Sequence, residues 1–243
     1  MSPKRFLPML IVSLAIPAAL PHQAVADLRL RLYVQSDSAK FMGREIPAAS
    51  DTNTVWMSGD KACWHLGDTA SFVLHSEDGM LYMLDHAAKQ YSQLPLGEIF
   101  GADNPELQQM MAMMKMEVTV TPTDETKKIG DWDCRKYVTT KKMPMAVSTS
   151  ESWATEDVEL DSEAYSRIMT STMAYFPNYL EIVEQYKKIS GVIVKETTTV
   201  EVMGQQIKSS TELIDVSEEE APVGVYSVPE DYKLVEPQPP GLH

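Results

Sequence analysis

The chain has 243 residues, 44% of them hydrophobic, and a formal net charge of −14. That length suits one domain or two small ones. The acidic balance excludes a partner recognised through its phosphate backbone, because nucleic-acid binding needs a basic footprint, and it disfavours charge-driven adsorption to anionic lipid.

The first residues read as a targeting segment. Lys4 and Arg5 precede an apolar run over 6–20, interrupted by Pro8, Ser13 and Pro17. Ala24, Val25 and Ala26 then supply the A-x-A pattern that signal peptidase cleaves, so 1–26 are expected to be removed. The remainder is expected in the periplasm, with no stable membrane insertion. No cysteine follows the apolar run, so a lipid-anchored form is not expected.

Along 27–235 the pattern is that of one domain of many short strands. Leu28, Leu30, Leu32 and Val34 alternate with Arg29, Arg31 and Tyr33, which predicts a half-buried strand over 28–35. Further strands are predicted over 39–46, 53–58, 61–66, 70–75, 80–85 and near 90–93, with Asp78-Gly79 as a hairpin signal. A helix is predicted next, with Asn104 as N-cap, Pro105 at its first position and Glu106 complementing the dipole. Strands over 117–121, 132–140 and 145–154 follow. A second helical segment spans about 162–188, and Pro177 should break it near Phe176. Strands over 192–201, 206–216 and about 225–228 close the domain, and 236–243 show no periodicity and read as a disordered tail. A sheet of roughly ten strands must curl or close to protect its edges. The expected class is therefore α+β, a curved antiparallel sheet with two helical segments on its concave side.

Five phrases share a likeness to a known group: "WMSGDKACW" at 56–64, "MLYMLDHAAKQYSQLP" at 80–95, "TKKIGDWDCRKY" at 126–137, "ESWATEDVEL" at 151–160 and "YSVPEDYKLV" at 226–235. In this order they resemble the LolA/LppX-like half-barrel superfamily of bacterial envelope proteins that carry lipoproteins or lipids. Within it they are most similar to an uncharacterised secreted family described only as a domain of unknown function. The resemblance implies an unclosed barrel of roughly eleven strands around helices, with an apolar cavity between them. One position departs from the pattern: where such sequences commonly carry a polar residue after "GDK", this chain has Cys63. No functional residue of the lipoprotein carriers aligns well enough to be transferred.

Cys63 and Cys134 are the two cysteines. An oxidising compartment permits them to pair, and closing a loop of about 70 residues would then stabilise by roughly 4 kcal/mol on a chain-entropy account. The alternative is two separate buried thiols.

"QQMMAMMKM" at 108–116 holds five methionines. Leu107, Met110, Met111 and Met114 fall on one helical stripe, with Met113 at its border and Met116 on the far side. Three readings stand: helix core, a pliable lining for a variable apolar ligand, or a Cu(I) site of thioethers. The last is disfavoured because His65, His75, His86 and His243 all lie outside this helix. The second helical segment adds Tyr165, Met169, Phe176, Tyr179 and Val183, rich in rings that are apolar in body and polar at the tip. Together these nine residues form the candidate ligand-binding layer, for a hydrophobic small molecule or lipid. An envelope protein partner is the alternative. The chain has no H-E-x-x-H, G-x-S-x-G, Gly-rich phosphate loop or C-x-x-C, so no catalytic residue, metal or cofactor is assigned and a non-enzymatic role is expected.

Overall fold

The computed structural model describes residues 27–41, 44–75, 77–96, 115–143, 146–174, 176–202 and 204–237. The leader 1–26, the tail 238–243, and Leu107, Met110, Met111 and Met114 lie outside the described residues.

The strands in chain order are β1 (Asp27–Ser36), β2 (Ala39–Phe41), β3 (Arg44–Ile46), β4 (Ala49–Ser58), β5 (Lys61–Leu66), β6 (Ala70–His75), β7 (Met80–Asp85) and β8 (Gln90–Pro95). Next come β9 (Glu117–Ile129), β10 (Trp132–Met143) and β11 (Ala146–Thr155). Helix α1 (Ser162–Met169), a 3₁₀ turn (Ser171–Met173) and helix α2 (Tyr179–Tyr186) lead to β12 (Val192–Val202), β13 (Gln205–Glu219) and β14 (Lys233–Leu234).

Twelve strands form one sheet in the order β14-β8-β7-β6-β5-β4-β1-β13-β12-β11-β10-β9. All neighbours are antiparallel except β14 and β8, and β9 and β14 end the sheet without meeting, so it is open. This is the α+β architecture that the alternation implies.

One face of the sheet bears the helices, and here it is called the inner face. Period-two strands place every second residue on it. Leu30 pairs in register with Val55, and Leu32 with Asn53 and Leu213. Leu30, Val55 and Leu74 are fully buried, each contributing roughly 1.5–3 kcal/mol by leaving water. Helix α1 packs on β5 and β6, and α2 on β9. Asp161 caps α1 by accepting the N–H groups of Glu163 and Ala164, both at 2.9 Å. The expected break before Pro177 is real: the segment splits into α1, the 3₁₀ turn and α2. Met116 sits at the base of β9, buried among Val120, Ile182 and Tyr186, and its carbonyl accepts from Asn178 Nδ2 at 2.8 Å.

The structure corrects two expectations. The strand at 39–46 is two three-residue strands pairing as a separate ribbon. The strand at 225–228 is a run of turns, because Pro222, Gly224 and Pro229 close turns with Val225, Ser227 and Tyr232. That run lies across the outer face, where Val225, Tyr226, Val228 and Tyr232 pack on Trp56, Cys63, Val73 and Leu84. Cys63 and Cys134 are free thiols. Cys63 points into this outer cluster and Cys134 into the inner core, so the sheet itself separates them.

Candidate functional site

On the inner face, between the α1–α2 connection and strands β1, β4, β5, β10, β12 and β13, lies a cavity of about 240 Å³. Its apolar wall is Leu32, Val34, Trp64, Met169, Met173 and Ile193, and its polar wall includes Asn53, Lys141, Tyr186, Glu196 and Thr211. The polar positions follow from register, since Glu196 pairs with Thr211 and Val34 in turn with Thr211. Glu196 accepts from Ser152 Oγ at 2.5 Å and from Thr198 Oγ1 at 3.3 Å. Burial acts against the charge on Lys141, but the Tyr186 phenol and the Glu196 carboxylate more than reverse it, holding its pKa above the ordinary lysine value. Burial raises the Tyr186 pKa, and Lys141 pulls it part of the way back. The Trp64 indole Nε1 is buried without a hydrogen-bond partner. The cavity is therefore an apolar pouch with one charged, hydroxyl-rich side.

Of the expected ligand-binding residues, Met169 lines this cavity. Tyr165 is buried in the core, and its hydroxyl accepts the Ile193 N–H at 3.1 Å. Tyr179 is also buried, its hydroxyl donating to the Arg167 carbonyl at 3.1 Å and accepting from Thr170 Oγ1 at 3.3 Å, which ties α2 back to the end of α1. Val183 is packed in the same core, and Phe176 packs against the Ile182–Tyr186 cluster. These four tie the helices to the sheet and to each other, and Met169 faces the open space.

A second polar constellation lies on the outer face. Cys63 Sγ and His65 Nε2 are 3.5 Å apart, His65 Nδ1 and Ser71 Oγ 2.7 Å, Ser71 Oγ and His86 Nε2 2.6 Å, and His86 Nδ1 and Tyr232 Oη 2.7 Å. The run therefore joins β5, β6 and the turn that follows β7 to the C-terminal segment. Burial, and then the nearby His86, lower the His65 pKa, and burial pushes the Cys63 thiol up to about 12. A thiol held protonated is a poor nucleophile. Beside the run, Arg29 bridges Asp215 and Glu219 at 2.8 and 2.7 Å and lies over the Trp56 ring.

A family model described as Domain of unknown function (DUF4412) matches residues 57–232, more than half of the chain. The chain belongs to the DUF4412 family. The matched span starts in β4 and ends at Tyr232, so the family unit includes the segment that crosses the outer face. No curated protein matches the chain. Among solved structures, that of PNGF-II is similar at 13% identity and a TM-score of 0.39, over 85% of this chain and 31% of that one. A likeness this distant carries no argument about the DUF4412 domain. No helix among the described residues is long and apolar enough to cross a membrane.

The candidate site contains residues that sequence reasoning did not nominate, chiefly Trp64, Lys141 and Glu196. Trp64 has a signal in hindsight: it alternates with Cys63 and His65, so one of the two sets must face inward. Lys141 and Glu196 have none, because an inward charge on a strand reads in sequence as a solvated one.

Proposed function

We propose that this protein is a secreted, non-enzymatic binding or carrier protein that takes an apolar ligand on the inner face of its half-barrel. The observation that carries the reading is the 240 Å³ cavity left between the helices and the sheet, lined by Leu32, Val34, Met169, Met173 and Ile193. Interiors otherwise pack to the density of organic crystals, with few voids larger than a water molecule. Two of the lining side chains are methionines, which adapt their shape at low cost. The leader and its A-x-A site place the carrier in the periplasm in this reading.

The test is native mass spectrometry of the protein purified from its own periplasm, with extraction of whatever is bound. A mass above that of the chain, and displacement of an environment-sensitive dye by acyl compounds, are expected. A bare chain mass together with no displacement would sink the reading.

A further inference from the structure

His65 Nδ1 and His86 Nε2 both touch a single atom, the Ser71 Oγ, at 2.7 and 2.6 Å. Register brings them there, because His65 pairs with Ser71 across β5 and β6, and Ser71 with Leu84, two residues before His86. Ser71 is 1% exposed, and a serine hydroxyl has one hydrogen and two lone pairs. With both rings neutral, Ser71 accepts from one ring and donates to the other, and all four contacts from Cys63 to Tyr232 are made in one direction. One added proton is absorbed without loss. A cationic His86 donates to Tyr232 and to Ser71, Ser71 donates to His65, and His65 donates to Cys63. A cationic His65 keeps every contact too. A second proton does not fit. Both rings would then donate to Ser71, whose own O–H is left buried with no acceptor among the described residues. The two cations would also stand with ring centroids 6.4 Å apart.

The surroundings do not answer that second charge. Arg29 and Arg31 of β1, Asp51 of β4 and Asp68 of the β5–β6 turn share the outer groove with the two rings, and Arg29 is already bridged to Asp215 and Glu219. Asp85 and Glu236 stand with Ser71 around the neighbouring cleft. Lys89 and Asp231, beside Tyr232, are paired with each other at 2.7 Å. Cys63 is held protonated by burial. Among the described residues no carboxylate oxygen lies within 4 Å of either ring. His75 differs, with Asp78 at 3.8 Å, and when charged it still donates to the Tyr226 carbonyl at 2.8 Å.

We propose that His65, Ser71 and His86 form an acid-operated latch on the C-terminal segment, which keeps its contacts through one added proton and releases Tyr232 on the second. His86 is the member that yields, since it sits in a turn while His65 and Ser71 lie within strands. The opening is confined to the Tyr232 end and to β14 beyond it, because His75 still holds the segment at Tyr226.

The experiment follows the whole secreted protein by NMR from pH 7.5 to 4.5. Ring ¹⁵N shifts count the protons on each imidazole. Amide exchange of Lys233 and Val235, corrected for its intrinsic pH dependence, reports the strap, and the amides of Val192 and Val194 report the sheet. Strap protection is expected to hold through the first proton and to fall at least fivefold with the second, while the β12 amides stay protected. In Tyr232→Phe the contact is already gone, so acid should bring no further loss. His65→Gln leaves one titrating ring and should keep its strap protection in acid. Two doubly protonated rings with the strap still protected would overturn the proposal. So would a full loss with the first proton, or the same acid loss in Tyr232→Phe. Loss of β12 protection before the second proton is taken up would overturn it as well, since the opening would then be global.

Discussion

Gly191→Ala is the sharpest test of how the cavity is built. Gly191 has φ +78, in the left-handed region, at the turn that returns the chain from α2 into β12. A Cβ there would overlap the Thr155 carbonyl and come within 3.0 Å of the Glu156 Cα. Neither neighbour can give easily. Thr155 is 1% exposed and paired in register with Cys134 on one side and Val192 on the other. The turn itself is pinned by Ser190 N–H donating to Tyr137 Oη at 3.2 Å. Gly59 is the control, with φ +53 in the β4–β5 hairpin and nothing within 4 Å of an added Cβ. Left-handed backbone alone costs an alanine about 1–2 kcal/mol, and that applies at both sites. The overlap at Gly191 adds about 1–3 kcal/mol, the usual cost of forcing atoms into a packed region. At about 2–4 °C per kcal/mol for a domain of this size, Gly191→Ala should melt about 2–12 °C below Gly59→Ala. Differential scanning calorimetry on both variants measures the gap. Equal melting temperatures would refute the steric argument and the tight β11–β12 closure behind it.

Other outcomes follow from the outer face. Tyr232→Phe removes the hydroxyl that meets His86 Nδ1 and should cost about 1 kcal/mol. The amides of Lys233 and Val235, which donate to Lys89 and Tyr91 carbonyls, should then exchange roughly fivefold faster by NMR. Acid should destabilise the protein through His65, whose folded pKa is lowered by burial and by His86. The unfolded chain takes up that proton first, so stability is full above about pH 6.5 and falls below it until the depressed folded pKa is passed. Denaturant midpoints across that range should slope less in His65→Gln, and an equal slope would remove His65 as the cause. Cys63 and Cys134 are buried and unpaired, so iodoacetamide should leave the native protein unlabelled and add two groups after denaturation. A mass two units lighter, recovered by reduction, would mean that they pair.

The run from Leu28 to Val34 was legible because its side chains alternate in burial, whereas 61–66, 70–75 and 80–85, covered on both faces, were legible as short runs bounded by turn signals such as Asp78-Gly79. The break at Pro177 was legible for a backbone reason, the missing N–H and ring of proline. What misled was polarity. Ser148, Ser150 and Ser152 sit on the inner side of β11, 5%, 1% and 0% exposed, where a period-two pattern in sequence points to solvent. Their hydroxyls are satisfied across strands, as with Ser150 Oγ and Thr198 Oγ1 at 2.7 Å, and cross-strand neighbours cannot be known until the register is. The tyrosines of the helical segment misled in the other direction. Tyr165 and Tyr179 look like ligand-facing rings, but each hydroxyl finds a partner within the fold, which leaves the ring free to be ordinary core. Cavity residues come from six strands and three helical elements, so no local window could display them together.

β5 is where the two polar features of the molecule meet. Trp64 points inward to the cavity wall, while Cys63 and His65 on either side point outward to the run that ends at Tyr232. The period of two makes this unavoidable: a strand that lends one residue to the cavity must lend its neighbours to the opposite face. A one-residue slip of β5 would bury Cys63 and His65 in the core and expel Trp64, so the turns at Gly59 and Gly67 that set its register protect both features at once. Gly67 is fixed from the inner core outward, its N–H donating to Asn53 Oδ1 at 3.2 Å, and Asn53 itself lines the cavity. The C-terminal segment clamps the outer side of this same strand through Cys63 and its neighbours Trp56 and Val73. Trp64 is therefore backed by a layer of the protein that lies on the far side of the sheet from the cavity, and the family unit, which ends at Tyr232, includes that layer.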